Sequence, residues 1–289
     1  MIEVTEQLVR SVYKPRPPNA HKYDYGHLLV VGGSKQYTGS PLLVGLAAMR
    51  AGVDLVTVVA PQRAANALSS ETPNLITWPL AGDTITPDHL PEIRKFMEGK
   101  TAAVFGNGAG KADPALNALR QAIKECTVPA VIDADAIRTI GAGNREVVRN
   151  KPFVFTPHAF EFTLLTGVNP VQFPFEERQG IVRNAARDLK CVVVLKGHED
   201  IISDGREVAV NRTGIPFMTK GGTGDTLAGI IGALLARGID PFTAAQAGCW
   251  LNGKAGERAG SMKGEGLLAT DVIHELPHVL VEALEFVHD

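Results

Sequence analysis

A series of short, almost uninterrupted apolar runs sets the strongest limit on how this chain can fold. They are Leu28-Leu29-Val30-Val31, Leu55-Val56-Thr57-Val58-Val59, Ala102-Ala103-Val104-Phe105, Pro129-Ala130-Val131-Ile132, Phe153-Val154-Phe155 and Cys191-Val192-Val193-Val194-Leu195. A strand wetted on one side alternates apolar with polar residues, whereas a strand covered on both faces does not, and such strands belong to parallel sheets. Parallel neighbours need long crossovers, and Leu42-Leu43-Leu46-Ala47-Arg50 and Leu116-Leu119-Ile123 supply helical faces between runs. The pattern predicts an α/β fold: a central, mostly parallel sheet between helical layers. Ile201-Ile202-Ser203 and Glu207-Val208-Ala209-Val210 flank Asp204-Gly205 and predict a hairpin, expected as an antiparallel edge. Helices are expected from Thr223 to Ala236, from Pro241 to about Ala259, and from Asp271 onward.

Residues 1–20 read as a short helix and a stiff linker, Lys14-Pro15-Arg16-Pro17-Pro18, packed on the outside of a single domain spanning 21–289. The 289 residues suffice for one large core, and 45% apolar with 21% charged residues is ordinary for a globule. A formal net charge of -2 gives no long-range attraction to nucleic acid or anionic lipid. Cys126, Cys191 and Cys249 form no CxxC pair, which argues for a reducing compartment and against a disulfide framework or a structural zinc site. The first residues carry no signal-peptide apolar core and no run of 18 apolar residues occurs, so the cytoplasm is the expected location and no membrane partner is expected. HExxH and Ser-His-Asp spacings are absent.

The stretch Thr219-Lys220-Gly221-Gly222-Thr223-Gly224-Asp225-Thr226-Leu227-Ala228-Gly229 precedes a strongly helical pattern. Thr223 or Asp225 as a plain helix cap is one account. An anion site is the more economical one, because free amides at a helix start bind negative charge and the glycines admit close backbone approach. It is not a phosphate loop of the GxxxxGK[ST] kind, since the lysine comes first. Other polar stretches close the apolar runs, where open parallel sheets collect ligands: Gly32-Gly33-Ser34 with Tyr37-Thr38-Gly39-Ser40, Gly106-Asn107-Gly108-Ala109-Gly110, Asp133-Ala134-Asp135, Thr156-Pro157-His158 with Glu161, and Lys196-Gly197-His198-Glu199-Asp200. Each also has a bland reading as a turn, a cap or a solvent-facing charge. The glycine loop at 106–110 lacks the last glycine of GxGxxG, so a Rossmann reading is weak.

Taken in order, these segments resemble the ADP/ATP-dependent NAD(P)H-hydrate dehydratases of the ribokinase-like superfamily. His21-Lys22, Val30-Val31-Gly32-Gly33-Ser34, Tyr37-Thr38-Gly39-Ser40, Asp133-Ala134-Asp135-Ala136, Thr156-Pro157-His158 with Glu161-Phe162, Lys196-Gly197 and Gly222-Thr223-Gly224-Asp225 carry the resemblance over roughly residues 20–285. Two loops depart from it: His21-Lys22-Tyr23 replaces His-Lys-Gly, and Gly106-Asn107-Gly108-Ala109-Gly110 replaces Gly-Pro-Gly-Leu-Gly. The resemblance implies a ribokinase-like three-layer α/β/α fold and repair of hydrated NADH or NADPH, with ADP or ATP as phosphoryl donor and Mg²⁺ as cofactor. It implies Asp225 as general base and an anion hole at Gly222, Thr223 and Gly224. Ser40, Gly106, Gly108, Gly110, His158 and Asp225 fall on the hydrate side, and Lys196, Gly197, His198, Glu199, Asp200 and Gly224 on the adenine-nucleotide side; metal ligands stay unassigned. It further implies a stand-alone dehydratase that cooperates with a separate epimerase, and a homo-oligomer, a tetramer among the candidates. A ribokinase-like vitamin-precursor kinase and an inactive nucleotide-binding regulator are the competing readings.

Overall fold

The computed structural model describes residues 1–141 and 143–284. The first half runs β1 (Ile2–Glu3), α1 (Glu6–Val12), β2 (His27–Val31), α2 (Ser40–Arg50), β3 (Leu55–Pro61), α3 (Gln62–Glu71), β4 (Ile76–Leu80), α4 (Leu90–Met97), β5 (Ala102–Phe105) and α5 (Asp113–Glu125). The second half runs β6 (Ala130–Ile132), α6 (Asp135–Ile140), β7 (Phe153–Phe155), α7 (Ala159–Thr166), α8 (Phe175–Leu189), β8 (Val192–Leu195), β9 (Asp200–Ser203), β10 (Val208–Asn211), α9 (Thr223–Ala236), α10 (Pro241–Lys263) and α11 (Ala269–Ala283).

The strands form one sheet in the order β1-β10-β9-β8-β7-β6-β5-β2-β3-β4. β9 pairs antiparallel with both β8 and β10, and the remaining pairings are parallel. Successive residues of a strand point to opposite faces. Leu28 and Val30 therefore enter a core with α2, α9 and α10, while Leu29 and Val31 enter a second core with α5, α7 and α8. Both faces are dry, which is why the runs show no alternation.

Each predicted run lies on a strand. The hairpin is present, but β10 is not the outermost strand: β1 pairs beside it, Ile2 with Ala209 and Glu3 with Val210. Val9, Val12 and Tyr13 of the N-terminal segment are buried in the first core. Sequence reading missed β4, whose composition, Ile-Thr-Trp-Pro-Leu, reads as irregular. An edge strand can bear such a sequence, because its outer side needs no ladder donors and tolerates proline. Helix α10 runs past Ala259 to Lys263, and α11 starts at Ala269, ahead of Asp271. The final residues of the helix expected from Asp271 onward, 285–289, lie outside the described residues.

Candidate active site

β5 and β2 are neighbours without being consecutive: the chain proceeds from β2 to β3 on one side and from β5 to β6 on the other. The loops leaving their carboxyl ends diverge there and open a crevice, the usual place for ligands in such sheets. Gly33 N–H donates to the Asn107 carbonyl at 2.8 Å and ties the two loops together. The loops after β6, β7 and β8 line up along the same edge, and α9 points its first turn at them.

The start of α9 bears on the capping reading of the glycine-rich stretch. Gly222 is the N-cap at φ 99, and no side chain caps the helix. Thr223 turns its hydroxyl to the Met218 and Lys220 carbonyls, at 2.8 and 3.0 Å. Asp225 turns away from the helix start: its Oδ1 accepts from Asn107 Nδ2 at 2.7 Å, and the Ser40 hydroxyl also donates to it. The capping account of both residues is thereby replaced. Burial pushes the Asp225 pKa from 3.8 up to about 6, with the Asn107 and Ser40 donors pulling the other way. A carboxyl poised in this range can take a proton and release it near neutrality.

Behind Asp225 lies a second carboxylate. Asp133, buried at the end of β6, accepts from Thr156 Oγ1 at 2.8 Å and from Lys196 Nζ at 3.1 Å on Oδ1, and from Asn107 Nδ2 at 2.8 Å on Oδ2. Glu161 lies 4.0 Å from the same lysine. Burial works against the charge of Lys196, but Asp133 and Glu161 outweigh it and hold its pKa above the ordinary value. Glu161 is shifted upward by burial in spite of the lysine. Asp135 accepts from Gly110 N–H at 2.8 Å and so pins the end of the 106–110 loop. Gly106 sits at φ 114, and a Cβ there would stand 2.1 Å from the Asp133 carbonyl, so only glycine lets this loop approach β6 so closely.

On the other side of Lys196 a cavity of about 360 Å³ opens, lined among others by Lys196, Gly197, His198, Asp200, Thr223 and Gly224. Asp200 organises its rim, accepting from Gly197 N–H and Asn211 Nδ2, both at 3.1 Å. A Cβ on Gly224 would lie 3.3 Å from Lys196 Nζ, so the lysine packs close to the first turn of α9, which itself lines the cavity.

The candidates from sequence divide accordingly. Ser40, Gly106, Gly108 and Asp225 meet in the crevice: a Cβ on Gly108 would reach the Ser40 Cβ at 2.9 Å. Lys196, Gly197, His198, Asp200 and Gly224 meet in the cavity, while Glu199 does not line it and pairs with Arg212 at 2.7 Å. His158, half exposed, serves α7 as its N-cap: Nδ1 accepts from Phe160 N–H at 3.2 Å and Glu161 N–H at 3.4 Å, and Glu161 accepts from His158 N–H at 3.0 Å. Asn107 was not among the candidates. Its signal is a polar side chain, 1% exposed, inside a glycine loop that follows an apolar strand. Cys249 and Asn252 also line the cavity, from a helix whose sequence gives no sign of it.

The family model described as NAD(P)H-hydrate dehydratase matches residues 28–278. A bifunctional NAD(P)H-hydrate repair enzyme of Pyrobaculum aerophilum is 40% identical over 267 residues, covering 92% of this chain and 52% of that protein. The chain thus spans about half the length of the bifunctional relatives that it matches. An ADP-dependent (S)-NAD(P)H-hydrate dehydratase of Cenarchaeum symbiosum is 36% identical over 283 residues, with 96% of each chain covered. Among solved structures, an ADP/ATP-dependent NAD(P)H-hydrate dehydratase of Bacillus subtilis, co-crystallised with ATP and Mg²⁺, superposes with a TM-score of 0.81 at 26% identity, covering 98% of both chains. The three-layer sheet-and-helix arrangement is the ribokinase-like one expected from sequence. With a family model spanning most of its length and a relative aligned from end to end, this chain belongs to the NAD(P)H-hydrate dehydratase family.

Proposed function

We propose that the protein dehydrates the (S)-hydrate of NADH or NADPH, using ADP or ATP as phosphoryl donor. The observation that carries this reading is the position of Asp225: its carboxyl lies in the crevice beside Ser40 and the 106–110 loop, and the first turn of its helix borders the Lys196 cavity. A phosphoryl acceptor in the crevice and a donor in the cavity would meet across Gly224.

Asp225 takes the proton of the C6 hydroxyl, and that oxygen attacks the terminal phosphorus of the donor. With ADP the leaving group is AMP, and with ATP it is ADP. The hydroxyl, a poor leaving group, has become a phosphate ester. The ring nitrogen lone pair then expels phosphate, and loss of a proton from C5 restores the C5–C6 double bond. Amides of Gly222, Thr223 and Gly224 at the start of α9 face charge that grows on the transferring group, where fixed dipoles act most strongly. His158, Gly106, Gly108 and Gly110 are assigned to the hydrate side, and Lys196, Gly197, His198, Glu199 and Asp200 to the nucleotide side, with Glu199 acting through its pairing with Arg212.

Among the described residues, no group of three or more His, Cys, Asp or Glu side chains is arranged to hold a metal ion. Asp200, the carboxylate that lines the cavity, is engaged by Gly197 N–H and Asn211, and Asp133 and Glu161 behind it are drawn to Lys196. Such a site fits Mg²⁺ carried on the donor's phosphates and water, the common arrangement for this ion, where it neutralises phosphate charge. Among the described residues no helix is long and apolar enough to cross a membrane, and we place the enzyme in the cytoplasm. We also propose a homo-oligomer, testable by light scattering, and cooperation with a separate hydrate epimerase, since the longer relatives are named as bifunctional repair enzymes.

The test is incubation of the protein with NADH hydrate, Mg²⁺ and either ADP or ATP. Matched recovery of the near-ultraviolet absorbance of NADH and release of phosphate, abolished in Asp225→Asn, is the expected result. Nucleotide binding without recovery would overturn the reading and favour a small-molecule kinase if a phosphorylated product accumulates on another acceptor, or a regulator if none does.

A further inference from the structure

We propose that Asn107 is a positioning residue for Asp225, its side-chain amide bridging the carboxylates of Asp225 and Asp133 so that the base is fixed in one orientation and joined to the Asp133–Lys196 ion pair. The role rests on the reading of Asp225 as general base. Asn107 Nδ2 lies 2.7 Å from Asp225 Oδ1 and 2.8 Å from Asp133 Oδ2, so both amide protons are used on carboxylates. Turning the amide over would set its oxygen against two acids, and the orientation is therefore unique. Its own Oδ1 is buried without a hydrogen-bond partner. A polar atom left in that condition costs stability, and such atoms are retained where a site needs the geometry. The backbone is held as well, since the Asn107 carbonyl accepts from Gly33 N–H.

Two carboxylates facing one another repel. A shared neutral donor is the simplest group that can lie between them without cancelling the charge of either. The charged groups acting on Asp225 are Asp133 from the end of β6 and Lys196 from the end of β8, while α2 contributes the uncharged Ser40 hydroxyl. Glu161 and His158 of the β7–α7 junction stand behind the lysine. Hydrogen bonds to the ionised form of an acid favour that form, and the Asn107 amide opposes the rise that burial imposes on Asp225.

The experiment follows the Asp225 carboxyl directly by ¹³C NMR titration in the full chain, with Asp225→Asn identifying the resonance. Asn107→Ala and Asn107→Pro are compared with the parent; the proline variant keeps the loop residue of related sequences should the alanine variant not fold. The titration midpoint is expected to rise by about one pH unit in either variant, as loss of one charge-assisted bond implies. In the hydrate assay, the loss of kcat/KM at about pH 5.5 should exceed that at about pH 8.5 by roughly tenfold, because the acidic limb reports the base. An unchanged midpoint, or a loss equal at both pH values, would overturn the positioning role and leave Asn107 as packing. Absence of hydrate turnover in the parent would instead defeat the proposed reaction, while the titration still decides Asn107.

Discussion

Lys196 Nζ lies 3.1 Å from Asp133 Oδ1 and so joins the end of β8 to the end of β6 across the intervening strand β7. The lysine stands at the cavity mouth with its side chain 20% exposed, whereas the Asp133 side chain is 3% exposed. The cation is thus the partly wetted member of the pair and the carboxylate the dry one.

Removing the lysine should strand the acids. In Lys196→Met, Asp133 and Glu161 lose their common cation. The expected loss of stability is about 2 kcal/mol, below the usual figure for breaking a buried pair because the lysine is partly solvated. The loss should shrink as pH falls and Glu161, whose pKa burial raises, takes up a proton. Denaturant melts of Lys196→Met, Asp133→Asn and the double variant check this; a coupling below about 0.5 kcal/mol would remove the pair from the account.

Asp225 should weaken the fold that holds it. Its pKa in the folded chain is raised by burial from 3.8 to about 6, so the folded state binds the proton more tightly than the unfolded one. The penalty is absent below the lower value, grows between the two, and is complete above the upper one. Asp225→Asn is expected to raise the melting temperature by a few degrees at pH 7, an effect on the order of 2 kcal/mol, while destroying activity. The gain should fade as the pH is lowered toward 4, which scanning calorimetry can follow.

His158 caps α7 only while its Nδ1 is unprotonated. Burial, helped by the positive charge of Lys196, lowers its pKa below the ordinary 6.5 of a histidine. Its contribution to stability is therefore present above 6.5 and is lost as pH falls through the depressed folded value. His158→Ala should cost about 1 kcal/mol at pH 8 and less at pH 5, and His158→Asn should restore most of that loss, since asparagine caps well. If the ring also meets the hydrate, the asparagine variant recovers stability but keeps a raised KM. Thermal melts beside steady-state kinetics separate the two.

Gly222 and its neighbour Gly221 should respond differently to the same change. Gly222 has φ +99, and a Cβ there would stand 2.6 Å from Leu43 Cδ1 and 2.8 Å from Ala269 Cβ, whereas a Cβ on Gly221 meets nothing within 4 Å. Gly222→Ala is expected to cost about 1–3 kcal/mol and to misplace the first turn of α9, with nucleotide affinity falling; Gly221→Ala should stay within about 0.5 kcal/mol of the parent. Equal melting temperatures for the two variants would contradict this placement of α9.

How much of this was legible beforehand follows the range of the interactions. The strands at Leu28–Val31, Ala102–Phe105 and Phe153–Phe155 announced themselves because full burial on both faces demands uninterrupted apolar side chains. Helix α9 was readable to its first residue, since glycine and threonine precede an unbroken apolar face. Strand β4 was not, because a sheet edge imposes few demands on its residues. Glu199 follows Lys196 by three positions, yet its side chain does not line the cavity and pairs with Arg212, a contact that no sequence spacing announces.

The layered α/β architecture, the crevice edge on which polar loops gather, and the candidate acid at the head of α9 can all be read from the order of residues. These rest on local propensity, on burial patterns and on where parallel strands can end. What Asp225 touches is visible only once the chain is folded. Asn107 lies 118 positions away along the chain and Asp133 is nearly as remote, yet one amide joins all three. No spacing rule can place such contacts, because they are set by the order in which strands lie side by side and not by the order in which the chain presents them.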